Sequence, residues 1–384
     1  MAAWKSVGNG TLEGISSVPD LDASKLTITF ANSLKPVPAP EQLVFGATTT
    51  DHMLVASFDP STGWSAPEIK PYGPLSLDPM SSCFQYCTNI FEGMKAYIGP
   101  DGKARLFRPE KNMARLARSA ERCALPPFNQ DAVLKLIKRL VSVEKRWIPA
   151  LEGYSLYIRP TIIGTRAALG VAASDHALLY IIVTPAGPFF KQAIPKPISL
   201  LAVSNSVRAW PGGTGGHKLG LNYAPGFLPQ RVAVKKGYDQ ILWVLGDVVT
   251  EAGVMNVFVV IKREDGDAID VVTPELDGTI LPGVTRMSVL ELLQNGGTTV
   301  VERKVTITEL KALSAQGRLL EVFLVGTAVL VASVGRIGLE NGEGDLVLPG
   351  PSPFAATMKK RLLDIQQGRE EYEDWSVVCD NCDN

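Results

Sequence analysis

Gly212-Gly-Thr-Gly-Gly-His-Lys218-Leu-Gly-Leu-Asn-Tyr223-Ala-Pro225 sets one amine in a run of glycines and small or aliphatic residues. Glycines let a backbone approach a bound molecule closely and adopt φ > 0 without steric cost. A lysine that is partly desolvated in such a place loses its proton readily and becomes a nucleophile towards carbonyls. Two other readings compete with this one. A lysine beside a glycine turn is commonly a solvated, idle residue. A phosphate-cradling loop needs a glycine before the lysine and a serine or threonine after it. Here His217 precedes Lys218 and Leu219 follows it, so the phosphate-loop reading fails. The idle reading is displaced only if the rest of the chain supplies partners for a Schiff base.

Composition sets the frame. At 384 residues the chain is long enough for two domains with full cores, and 46% hydrophobic against 20% charged residues is ordinary for a globular protein. A formal net charge of −1 leaves no electrostatic footprint for nucleic acid or for an anionic membrane. No apolar run approaches the roughly 18 residues that span a bilayer. Met1–Pro40 carries Lys5, Lys25 and Lys35, no arginine and no apolar block, so it reads as neither a secretory nor an Arg-rich organellar leader. Cytoplasmic residence is the expectation, with a mitochondrial one left open. The five cysteines are too scattered for a disulfide framework. Cys379 and Cys382 have C-x-x-C spacing, but His52, His176 and His217 lie far off in sequence, so the pair reads as part of a solvated acidic tail.

The periodicities describe an α/β (α+β) chain. Strands are expected at Lys25–Phe30, Met53–Phe58, Cys87–Tyr97, Ala104–Phe107, Ser155–Ile163 and Ala177–Thr184. Pro109 is placed to open a helix carrying Met113, Leu116 and Ala120. Ala132–Trp147 repeats apolar residues at Val133, Leu136, Ile137, Leu140 and Val143, as an amphipathic helix does. The proline-rich stretch Pro185–Pro197 breaks the pattern. It divides the chain into a small N-terminal domain over 1–187, a linker over 188–198 and a larger domain over 199–384. In the second half, strands are expected at Ile198–Ser204, Gln240–Leu245, Val257–Lys262, Ala268–Val272, Thr299–Val305 and Leu320–Val334. Helices are expected at Gly226–Lys236, Thr285–Gln294, Thr308–Gln316 and Phe354–Gln367.

Three further motifs join the lysine stretch: Phe91-Glu-Gly-Met-Lys-Ala-Tyr97, Leu156-Tyr-Ile-Arg-Pro160 and Thr250-Glu-Ala-Gly-Val-Met-Asn256. With them the chain resembles, from about Leu43 to Trp375, the branched-chain amino acid aminotransferases, fold-type IV enzymes that use pyridoxal 5′-phosphate (PLP). The resemblance implies a two-domain fold whose larger domain has a β-barrel-like core, and a homodimer in which a neighbouring subunit completes each site. It implies that Lys218 is the Schiff-base lysine and proton carrier, that Glu251 partners the ring nitrogen and that Tyr223 partners the phenolic oxygen. Such a nitrogen needs an acidic partner if the ring is to act as an electron sink.

Phosphate is assigned by the same resemblance to Arg115, to Val284 and Thr285 in Leu281-Pro-Gly-Val-Thr285-Arg286, and to Thr327 of Gly326-Thr327-Ala328. Free N–H groups and a helix dipole would meet an anion at Val284–Thr285. Thr327 and Ala328 also serve the substrate carboxylate. The aromatic pocket is assigned to Phe45, Tyr86, Phe91, Tyr157 and Phe189, with Arg159 receiving a distal carboxylate. Leu169 and Val171 match a loop that reaches over from the neighbour. Val254 stands where animal relatives often have threonine, Phe189 where tyrosine is common, and Thr327–Val331 lacks the cysteine pair of some animal relatives. The implied reaction is reversible amino transfer from L-leucine, L-isoleucine or L-valine to 2-oxoglutarate. A D-amino acid aminotransferase, an aminodeoxychorismate lyase or a non-catalytic relative would share Lys218 and Glu251.

Overall fold

The computed structural model describes residues 18–188, 196–339, 344–350 and 353–379. Within them the expected α/β pattern resolves into two sheets. The first has 10 strands and is largely antiparallel, with Ser155–Gly164 and Ala177–Ala186 paired along their whole length at its centre. The second has 9 strands of mixed direction.

The helices on the first sheet form where the sequence placed them. Pro109 is the first residue of Pro109–Arg122, where its missing N–H costs nothing, and the helix follows Arg108 at φ 44°. Gln130–Val143 is started by Asn129, whose side chain accepts from the Ala132 N–H at 3.0 Å. It buries Val133, Leu136, Ile137, Leu140 and Val141 against the sheet. The expected continuation to Trp147 is a separate 3-10 turn, Lys145–Trp147, because the last helical turn ends at Glu144. Fully burying each such Leu or Ile is worth about 1.5–3 kcal/mol.

Around the second sheet the order of strands makes a curl. Val248–Ala252 and Thr299–Glu302 are its two ends, yet Val248 bridges Thr306 just beyond the latter, and the Val249 N–H donates to the Val305 carbonyl at 2.8 Å. One apolar cluster fills the inside of this curl. Another packs the helices Val284–Asn295 and Pro353–Gln366 against its outside.

Several expectations need correction. The single strand over Leu320–Val334 is a hairpin, Leu319–Gly326 and Leu330–Leu339, because Gly326-Thr-Ala-Val329 turns the chain. Lys25–Phe30 shrinks to Thr27–Ile28, and Val248–Ala252 is a strand beyond those expected. The tail up to Cys379 is not solvated. Ser376–Val378 pairs antiparallel with Ala104–Phe107 at the edge of the first sheet, and Cys379 is buried in that sheet's core. Cys382 and most of the expected linker, residues 189–195, lie outside the described residues.

Phe258 and Phe323 stack at 5.0 Å between ring centroids, both fully buried, on neighbouring strands of the second sheet. Phe258→Ala is expected to lower unfolding stability by about 3–5 kcal/mol. A shift of the urea midpoint worth less than about 1 kcal/mol would remove this pair from the supports of the core.

Candidate active site

The Lys218 backbone is tied down on both sides. Its N–H donates to Ser119 Oγ at 3.0 Å, and its carbonyl accepts from the Phe91 N–H at 3.2 Å. The Asn222 side-chain amide holds the surrounding turn by donating to the carbonyls of Thr214 and His217 at 3.0 and 2.9 Å. The half-buried Lys218 Nζ donates to the Tyr223 hydroxyl oxygen at 3.0 Å and stands 4.7 Å from the centre of the Phe91 ring. A hydroxyl and two aromatic faces surround the amine.

The amine opens into a cavity of about 580 Å³ between the two sheets. One wall is a face of the first sheet. Tyr157, Arg159 and Thr161 point to it at two-residue spacing, as do Tyr180 and Ile182 on the adjacent strand. The other wall comes from the second sheet and its loops: Met255 and Asn256, the turn Gly326–Val329, and Leu281 with Gly283–Thr285.

The segment Leu281–Thr285 joins the parts. The Leu281 N–H donates to Glu251 Oε1 at 2.7 Å, and its carbonyl accepts from the Asn256 amide at 2.9 Å. The Pro282 carbonyl accepts from Arg115 at 3.0 Å. Gly283 then opens the helix Val284–Asn295 without a side-chain cap, leaving the first amides of that helix for another acceptor. A Cβ at Gly283 would lie 2.2 Å from Asn256 Oδ1, so this close approach requires glycine.

Arg115 is buried and held in a fork by Glu92: Nε to Oε1 at 2.6 Å and NH2 to Oε2 at 2.8 Å. Asn112 and the Gly93 N–H also donate to Glu92, which is 0% exposed. Burial alone would raise the Glu92 carboxyl, but the Arg115 charge and hydrogen bonds, with Lys218 and Asn112, hold it below its ordinary value. Glu251 goes the other way. Burial at 2% exposure pushes its carboxyl up, against the opposing pull of Arg208, the Leu281 N–H, Lys218 and Arg115. Arg208 NH2 lies 3.0 Å from Glu251 Oε2.

Among the residues singled out from the sequence, Lys218, Tyr223, Arg115, Val284, Thr285, Thr327, Ala328, Phe45, Phe91, Tyr157, Arg159 and Val254 all line this one cavity. Glu251 does not line it; it sits behind the wall, on the strand Val248–Ala252. Tyr86, Leu169 and Val171 are also off the lining. Tyr86 hydrogen-bonds the Leu169 carbonyl on an exposed loop, and Val171 is 87% exposed. Phe189 lies outside the described residues.

Several residues escaped the sequence reading. Glu92 stands inside the Phe91–Tyr97 motif and was signalled only by an acid beside a glycine. Tyr180 and Ile182 were signalled by the alternating burial that a two-residue period implies. Arg208 carried no signal. Lys95 stands in the same motif as Glu92; its Nζ donates to the Ala328 carbonyl at 2.9 Å, and its amine is lowered to about 8 by burial and then by Lys359.

The donor set fits PLP. One end offers Arg115, uncapped helix amides and the Thr285 hydroxyl for a phosphate. An amine with a phenolic partner stands between, and a buried carboxylate lies behind the Leu281 wall. A second concavity, of about 520 Å³, offers nothing comparable: its arginines, Arg263, Arg303 and Arg318, are already paired with Asp270, Glu309 and Glu264. The described residues contain no cluster of metal-ligating side chains and no helix long and apolar enough to cross a membrane.

Residues 89–337 match the family described as Amino-transferase class IV. A mitochondrial branched-chain-amino-acid aminotransferase of Saccharomyces cerevisiae is 46% identical over 96% of this chain and 96% of its own length. The cytosolic branched-chain-amino-acid aminotransferase of the same yeast is also 46% identical, over 93% of this chain and 97% of its own. Among solved structures, the PLP form of the branched-chain amino acid aminotransferase from Thermobaculum terrenum superposes with a TM-score of 0.68. It covers 87% of this chain and 99% of that one at 20% identity, a likeness of fold.

Glu92→Gln is expected to leave the buried Arg115 guanidinium uncompensated and to destabilise the protein by about 3–5 kcal/mol. The Glu92 carboxyl is lowered in the folded state, so its contribution is present above the ordinary carboxylate range and is lost as pH falls through the folded value. Stability measured by urea unfolding should therefore fall less steeply with acid in the variant. Parallel pH curves would remove the pair from this role.

Proposed function

The chain belongs to the class IV amino-transferase family, and from that premise we propose that it moves the amino group of L-leucine, L-isoleucine or L-valine reversibly to 2-oxoglutarate, by a ping-pong route. The observation that carries this reading is the Lys218 amine, 3.0 Å from the Tyr223 hydroxyl, in a cavity lined by both anion donors and apolar side chains. The yeast relatives, similar over nearly their whole length, carry the branched-chain name.

When bound, PLP supplies an aldehyde that condenses with amines and a ring that takes up the electrons left at the substrate Cα. Lys218 is the residue that would hold it covalently. Arg115, the amides of Val284 and Thr285, and the hydroxyls of Thr285 and Thr327 would hold its phosphate, while Glu251 would keep its ring nitrogen protonated. The Lys218 amine would then serve as the base that holds and moves the proton of the substrate Cα. Tyr223 fixes the direction of that amine.

Discrimination falls to the first sheet. Phe45 and Tyr157 meet edge to face at 4.8 Å and, with Phe91 and with Val254 from the facing second sheet, offer an apolar surface to a branched side chain. Arg159 lies over the Phe91 ring at 4.5 Å, and its NH2 donates to the Tyr157 hydroxyl at 3.1 Å. Arg159 is half-buried and lines the cavity, which places its guanidinium to meet the distal carboxylate of glutamate. Thr327 and Ala328 would take the α-carboxylate. Exposed apolar residues, including Phe84, Leu169, Val171, Phe227 and Leu228, support a homodimer whose Leu169–Val171 loop reaches the neighbour's site. Cytoplasmic residence belongs to this proposal too, and cell fractionation checks it.

With L-leucine and 2-oxoglutarate the protein should form glutamate, and D-alanine should be inert. The reverse preference would favour the D-amino acid reading. Lys218→Ala should bind no PLP with visible absorbance and lose turnover, and persistence of either sinks the cofactor assignment. Glu251→Ala should keep PLP but lose turnover by at least about a hundredfold; near-normal rates would strip Glu251 of its role.

A further inference from the structure

A second buried polar cluster lies outside the cavity, where the N-terminal segment meets the end of the helix Gln130–Val143. Asp51, His52 and Glu144 are its members, each no more than 3% exposed. His52 Nε2 accepts from the Ala31 N–H at 2.9 Å, so the ring proton sits on Nδ1 and is donated to Glu144. The second Glu144 oxygen accepts from the Asp51 N–H at 3.1 Å. The Asp51 carboxylate takes the Lys35 N–H at 2.8 Å, the Trp147 indole N–H at 2.7 Å and Arg146 through Nε and NH2 at 3.0 and 2.5 Å.

What these contacts join is one loop. Lys35 is bound at its backbone N–H by Asp51 and at its carbonyl by Arg146, 2.8 Å away. Its Nζ reaches across to Thr49 Oγ1 at 2.8 Å and the Thr50 carbonyl at 2.7 Å. One foot of the segment is therefore held by the cluster directly, and the other through the Lys35 ammonium and the short chain from Thr49 to Asp51. At the far end, Val44–Ala47 forms a turn closed by the Ala47 N–H on the Val44 carbonyl at 3.1 Å, with Gly46 at φ 72°. That is the geometry of a type II turn with Phe45 at its second position. The Phe45 ring lines the cavity and meets Tyr157.

We propose that the Asp51–His52–Glu144 cluster clamps both feet of the Lys35–Thr49 loop and so sets Phe45 at the cavity wall, which makes Asp51 a positioning residue for the apolar substrate. It touches neither the cavity nor the residues around Lys218. Within the loop Leu43 is buried, the 3-10 turn Pro40–Gln42 has no side-chain cap, and most of the other residues are exposed or half-buried. An ionised carboxylate receiving four donors is a fixed post in a low-dielectric setting. Asparagine in its place keeps the volume but turns one acceptor into a donor that faces other donors.

The inference rests on the reading that this cavity receives a branched side chain, and the experiment separates the two. In the PLP-loaded enzyme, Asp51→Asn should raise the KM for L-leucine about tenfold while kcat stays within about twofold, the signature of lost uniform binding. The KM for L-glutamate should move less. Phe45→Ala should act in the same way, and the double variant should be no worse than Phe45→Ala alone. Amide exchange at Leu43 and Ala47 should quicken in Asp51→Asn. If Asp51→Asn fails to fold, Arg146→Lys carries the same cycle, since it removes the fork between Asp51 and the Lys35 carbonyl. Effects that multiply, an unchanged leucine KM with only a lower Tm, or unchanged exchange at Leu43 and Ala47 would overturn the clamp. A wild-type enzyme inert to leucine would instead overturn the functional reading.

Discussion

The cavity is organised around one buried charge pair. Glu92 and Arg115 face each other through two hydrogen bonds, and the remaining capacity of the carboxylate is met by Asn112 and the Gly93 N–H. A buried pair recovers its desolvation cost only when the geometry is this complete. The guanidinium then has one nitrogen left over, and that nitrogen reaches the Pro282 carbonyl on the opposite wall. Residues contributed by the first sheet are thus fixed to the segment that orders Glu251, Asn256 and the start of the helix Val284–Asn295. Lys218 belongs to the same arrangement, because its backbone is held by Phe91 and Ser119, neighbours of Glu92 and Arg115 in sequence.

The two walls divide the chemical labour. Loops and helix termini of the second sheet offer backbone N–H groups and hydroxyls, suited to anions that do not vary between substrates. The first sheet offers side chains at two-residue spacing on a flat face, where one substitution changes one contact. Arg159 shows the compromise. It lies against Phe91 and Tyr157, so its charge is partly masked by aromatic faces, while its Nε is left without a partner among the described residues. An apolar group and a carboxylate can both be accommodated at such a place, the first against the rings and the second against the guanidinium.

Much of this was legible in the sequence, and for reasons that can be named. The long strands and amphipathic helices were found because their burial is periodic, as in Gln130–Val143. The lysine stood out as one amine in a glycine-rich run, whereas Tyr223 and Arg115 were assigned by the family resemblance. Failures came where tertiary contacts decide. Leu320–Val334 reads as one apolar run, and only the turn at Gly326–Val329 makes it a hairpin. The strand that carries Glu251, Val248–Ala252, was not among those expected, and it is kept by pairing with Gln240–Leu245. Arg208, Glu92 and Lys95 were missed because their roles come from partners far off in sequence, at Glu251, Arg115 and Ala328. The tail at Ser376–Cys379 was read as solvated because its acidic neighbours outweigh a short apolar run.

That tail carries a consequence for how the molecule is made. Ser376–Val378 is the partner of Ala104–Phe107, and Trp375 stacks on Arg108 at 4.0 Å and meets Phe107 edge to face. During synthesis on the ribosome, the strand Ala104–Phe107 emerges early, and its outer edge has no pairing until almost all the described chain has followed. A nascent intermediate therefore displays an open strand edge for most of the elongation time, a surface on which chaperones act and on which aggregation begins. Closure of that edge is a late, long-range event, and such events make folding slow.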